Sequence, residues 1–102
     1  MDVKQIQKIL DADRMAVAMF RAAKLGDGAA LAALEQQVQP EDADALAAAQ
    51  YRLLAHTVDA SRRLEARGQY DAMAGLGAIL DAYQAAIEKT ENQLRSWRGE
   101  AA

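Results

Sequence analysis

Between Tyr70 and Trp97 the bulky apolar residues Met73, Leu76, Leu80, Tyr83, Ile87, Leu94 and Trp97 recur at helical intervals, with only Thr90 off pattern. Residues three and four apart lie above one another on a helix, so this spacing makes an apolar seam that needs partner helices. The rest of the chain is expected to supply them. At 102 residues the chain is expected to form a single helical domain spanning 1–102, because two separate cores would leave each half too small to be self-sufficient. The expected fold is all-α, an antiparallel bundle of three to four helices whose last two form a long hairpin.

The other helices come in order along the chain. Val3, Ile6, Leu10, Val17 and Phe20 share one face of a helix over residues 3–24, which Gly26 is placed to end by taking a left-handed conformation. Asp13 falls near the middle of that face, where an unpaired carboxylate would be costly. The reading adopted is that it lies at a solvated gap or beside an arginine. Asp27 reads as the N-cap of a short helix over 28–38, with Leu31, Leu34 and Val38 inward. Pro40, the only proline, then starts a long helix over 40–67. Its first turn carries Glu41, Asp42 and Asp44, which suit the positive end of the helix dipole. Leu46, Leu53, Leu54, Val58 and Leu64 are expected inward and Tyr51 at the edge. Gly68 separates it from the last helix, over 70–98, and so short a connection makes the two antiparallel neighbours. Gly75 and Gly77 lie inside that last helix, where glycine costs about 1 kcal/mol relative to alanine. Close approach of another backbone is the expected reason.

Composition excludes several kinds of chemistry. There is no cysteine and one histidine, so disulfides, thiolate metal sites, cysteine nucleophiles and histidine-rich metal centres are ruled out. The acid pairs Asp11/Asp13 and Asp42/Asp44 lack a partner at helical metal spacing, and neither a metal nor a cofactor is expected. A formal net charge of −3 lacks the electrostatic footprint of a nucleic-acid binder. Met1 to Gln5 shows no basic region leading into an apolar run, and no stretch approaches the roughly 18 apolar residues of a membrane span. A cytoplasmic protein is expected. Alanine supplies nearly half of the hydrophobic residues, so the core should be thin, and small thin-cored domains gain stability by docking on a partner or on a second copy.

One charge pattern and one repeat stand out. Acids lead the third helix and arginines trail it, with Arg52, Arg63 and Arg67 projecting together as a candidate basic surface. The helix dipole alone accounts for that order. The run from Gly26 to Leu34 lines up with Gly68 to Leu76, 42 residues later, sharing a glycine turn and a small-large-small sequence. Two stacked helical hairpins would produce this, and Gly68-Gln69-Tyr70 resembles the turn of tetratricopeptide repeats. Repeat stacking stands second to a simple bundle.

His56 is the one candidate for chemistry, on the expected outer face of the third helix. Ala55-His56-Thr57 resembles the start of the motif around the phosphorylated histidine of histidine-containing phosphotransfer domains, which are also helical bundles. That resemblance would make His56 a phosphoacceptor and a response regulator its partner. It departs from the family at Asp59 and Ala60, where a lysine that neutralises phosphate and a glycine that admits the regulator would stand. Arg52 and His56 on one helix also resemble the catalytic pair of the HEPN ribonucleases, with three intervening residues where that family has four to six. A lone histidine would need a phosphate-orienting group and a pocket for such work. The preferred expectation is therefore a non-enzymatic module that binds another protein through helix-helix contacts. Leu94 and Trp97 are its expected contact residues, as the apolar end of the seam that the shorter helices leave uncovered.

Overall fold

The computed structural model describes residues 2–68, 72–97 and 99. Four α-helices account for most of them: α1 (Val3–Lys24), α2 (Gly28–Gln36), α3 (Ala43–Ala66) and α4 (Ala72–Trp97), with a 3-10 turn at Pro40–Asp42 before α3. No strand occurs among the described residues, and the helices pack as an all-α bundle. The expected helix limits at Tyr70 and Arg98, the side chain of Met73, the Gln69-Tyr70 part of the repeat-like turn and the end of the chain from Glu100 lie outside the described residues.

Local hydrogen bonding explains each boundary. Asp2 caps α1 by accepting from the Gln5 amide at 2.9 Å, while Gln5 accepts from the Asp2 amide at 3.1 Å, so two orphan donors are satisfied reciprocally. At its other end Gly26 takes φ +69°; its amide donates to the Ala23 carbonyl and the Asp27 amide donates to that of Ala22. This paired closure needs the left-handed residue that glycine adopts without a Cβ clash. Asp27 then caps α2 by accepting from the Ala30 amide at 3.0 Å. Gly68 repeats the device at the end of α3, with φ +67° and its amide on Glu65. The shared part of the internal echo is thus a helix stop. The helices beyond the two stops differ in length, nine residues in α2 and 26 in α4. The third helix starts later than expected: Pro40 opens a 3-10 turn, in which the Asp42 amide donates to the Gln39 carbonyl, and the α-helix follows from Ala43.

The seam of α4 is real: Leu80, Ile87 and Leu94 are buried, and Leu76 and Tyr83 pack against the core. The central element, however, is α1, which packs on α2, α3 and α4 and makes its broadest interface with α3. Leu10, Ala16, Val17 and Met19 of α1 meet Leu46, Ala49 and Leu53 of α3 in the same core cluster. Two ion pairs set the register of α1 against α4: Arg14 to Glu91 at 2.6 Å and Arg21 to Asp81 at 2.9 Å. Advancing along α1 while retreating along α4, they make these helices antiparallel. The expected backbone contact at Gly77 is a different one. A Cβ built there would meet the Lys24 Nζ at 3.0 Å, the end of a flexible side chain from the last turn of α1.

Orientation of α3 differs most from expectation. Leu46 and Leu53 are buried, but Leu54 is 52 % exposed, Val58 43 % and Tyr51 73 %. At about 100° per residue, burying Leu53 carries Leu54 to the flank of the helix and turns Val58 further away. Leu54 and Val58 therefore do not belong to the core.

Candidate functional site

Two features of α3 bear on function, a polar cluster on its inner flank and an apolar stripe on its outer face. The cluster is built around Asp13, which is only 8 % exposed. Its Oδ1 accepts from Arg52 Nη2 at 2.6 Å, so the acid in the apolar face of α1 is satisfied by an arginine from α3. The hydrogen bond to Asp13 is also the main reason that the Arg52 guanidinium titrates above its usual range. Tyr83 of α4 adjoins the pair, and its ring lies 5.2 Å from that of His56 at a 51° tilt.

Burial, reinforced by the negative charge of Asp13 and opposed by Arg52, raises the Tyr83 hydroxyl above its ordinary value of 10.0. Tyrosinate therefore forms first in the unfolded chain. The resulting stability is fully present below pH 10 and is lost as the pH rises through the higher folded value. Urea denaturation between pH 8 and 11 is expected to show wild type losing more stability above about pH 10 than Tyr83→Phe does. Parallel curves would remove the assignment.

His56 is half-buried rather than projecting freely, with Tyr83 beside it. Asp59, at the position of the phosphotransfer lysine, is occupied by Arg63 at 2.8 Å. Together with Asp13 on Arg52, that pairing breaks up the expected basic surface. Of Arg52, Arg63 and Arg67, only Arg67 is without an ion pair among the described residues. The acid pair Asp11/Asp13 diverges, since Asp11 is exposed and accepts from Gln7 Nε2 at 3.0 Å.

The expected contact pair also separates. Trp97 is 71 % exposed, but Leu94 is 1 % exposed and part of the core. Helix lengths alone count α1 as too short to reach this end, but they do not say where along α4 it lies. Its antiparallel course, fixed at Arg14–Glu91, carries its N-terminal half past the last turns of α4 and covers Leu94. Glu91 holds that end doubly, taking Arg14 on one oxygen and Arg95 on the other at 3.2 Å.

The outer face of α3 presents Tyr51, Leu54 and Val58, at positions i, i+3 and i+7, with exposed Ala47 and Ala55 beside them. This is the side turned away from Leu46, Ala49 and Leu53. Its spacing is readable in the sequence, but periodicity turns Leu54 and Val58 inward, because α3 carries two apolar stripes and only packing decides which is covered. A groove of about 670 Å³ also opens between the first half of α1 and the segment leading into α3, over Val3, Ala12, Met15, Val38 and Leu46. Lys4, Lys8, Asp11 and Asp42 border it, a mixed rim that selects no sign of charge. No described helix is long and apolar enough to cross a membrane.

Comparison with known proteins adds no relative: no family model, curated protein or solved structure matches the chain.

Proposed function

We propose that the chain is a non-enzymatic docking module that binds another protein through helix-on-helix contacts, as a small cytoplasmic adaptor, secretion-type chaperone or regulator does. The observation that supports this is the exposed stripe of Tyr51, Leu54 and Val58. An apolar row at i, i+3 and i+7 on a helix already held by its other face is the pattern by which one helix seats on another. Isolated exposed apolar residues are ordinary, but three in register on one face form a contiguous patch. Tyr51 adds a large, stiff side chain of the type enriched at interface centres.

A photoreactive residue at position 51 tests this in the producing cell. It is expected to give a discrete protein adduct that Leu54→Asp abolishes, while the same residue at exposed Lys89 on α4 gives none. Equal labelling at the two positions, or none at 51, would refute the reading.

A further inference from the structure

The second helix differs from the other three in how it is held. Every buried residue of the core cluster, from Leu10 on α1 to Leu94 on α4, belongs to α1, α3 or α4, and α2 contributes none. Leu31, Leu34 and, just past its end, Val38 pack against that cluster only as half-buried side chains. Among the described residues no side chain of α2 makes a hydrogen bond or an ion pair to another helix, and its cap, Asp27 accepting from the Ala30 amide, is local. Non-helical residues flank it on both sides, 25–27 with Gly26 at φ +69° and 37–39 before the 3-10 turn.

Beneath α2 the packing is open. A cavity of about 440 Å³ lies between it, α1 and α3, lined by Met19, Leu31, Val38, Leu46 and Gln50. Val38 and Leu46 also line the larger groove beside the first half of α1, so these two side chains form the partition between the two spaces.

We propose that α2 is a flap, which leaves α1 and melts as a unit while α1, α3 and α4 stay packed, and whose departure joins the two cavities into one apolar trough along α1. Detachment and melting go together because nine residues are too few to hold a helix in water without a packed face. Val38, whose amide donates to the Glu35 carbonyl, goes with the helix and takes the partition away. The opening gives up three half-buried side chains and no buried one, which sets it below unfolding of the core in cost. It is separate from the stripe on α3, whose residues line neither cavity.

Hydrogen exchange followed amide by amide, in urea concentrations below the unfolding transition, tests this. Amides of residues 31–37 are expected to be protected at least about a hundredfold less than those of residues 16–22 and 49–53, and to respond weakly to urea, because the opening exposes little surface. Leu53→Ala should accelerate the core amides about a hundredfold and leave those of α2 within about twofold, since Leu53 stays packed whether the flap is open or shut. Leu34→Asp should abolish protection across α2 and leave α1, α3 and α4 protected. With the bundle still protected, that variant should enhance the fluorescence of anilinonaphthalene sulfonate several-fold over wild type, because the trough stands open. If α2 exchanges in step with the core, in urea response and in its answer to Leu53→Ala, it opens only when the whole chain unfolds and the proposal is overturned. A Leu34→Asp chain that loses the whole bundle overturns it as well. Dye fluorescence unchanged from wild type would show that α1 and α3 close over the gap, and the joined trough would fall.

Discussion

Leu53→Ala is expected to cost about 3 kcal/mol of folding stability, whereas Leu54→Ala, one residue on, should change the monomer by no more than about 0.5 kcal/mol. Leu53 is fully buried between α1, α3 and α4, and truncating a buried leucine forfeits both its transfer energy and the contacts around the cavity left behind. Leu54 already has half of its surface in water. A domain of this size holds roughly 5–15 kcal/mol in total. The first change should therefore lower the thermal midpoint by about 15 °C, while the second leaves it within about 3 °C. Chemical denaturation at low micromolar concentration separates this effect from association. A cost at Leu54 that appears only when a docking partner is present belongs to association, because a partner that binds only the folded chain adds stability by mass action. Equal losses at the two leucines would show that α3 is rotated from the orientation described, and the exposed stripe would go with it.

The sequence is most legible where one signal acts without a competitor. The seam of α4, with a single apolar stripe, places Leu80, Ile87 and Leu94 on the inner face. The helix stops at Gly26 and Gly68 are equally legible, because the left-handed conformation that closes a helix is nearly confined to glycine. On α3 the signals conflict. Leu46 and Leu53 define one stripe, and Tyr51, Leu54 and Val58 another. Periodicity reports both without saying which faces a neighbour. Contacts between helices decide that, and they are out of its reach: the sequence does not state that α1 is central, or that its course beside α4 buries Leu94 and leaves Trp97 outside. Asp13 lies between these cases. Its place in an apolar face demands a partner, and an arginine is among the answers, but Arg52 reads as outward on α3 because a charge there looks solvated by default. The aliphatic stem of arginine lets it satisfy a buried carboxylate while part of the side chain stays in water, so residue type alone does not fix where its head group goes.

Arg52→Ala should therefore destabilise the fold well beyond an ordinary surface substitution, by about 2 kcal/mol. The loss comes from Asp13, whose carboxylate would stay in the apolar face of α1 without its donor. Breaking a fully buried pair from one side costs about 3–5 kcal/mol; the smaller value applies here because the Arg52 side chain is 42 % exposed and water reaches part of the site. Removing the acid has a different consequence. In Asp13→Leu, Arg52 swings into solvent and leucine joins the surrounding apolar residues, so the net change should be within about 1 kcal/mol. The double variant Asp13→Leu/Arg52→Ala should then recover most of what Arg52→Ala loses. If Arg52 contributes mainly by packing its stem, the double variant will remain as unstable as Arg52→Ala. If the buried charge is the cause, the two losses will not add. A thermodynamic cycle over the four proteins distinguishes these cases, and a coupling near zero would mean that the 2.6 Å contact does not hold α1 to α3. The outcome bears on function as well, since this pair fixes the inner flank of the helix whose outer face carries Tyr51, Leu54 and Val58. Loosening it should weaken association without any contact at the interface being touched.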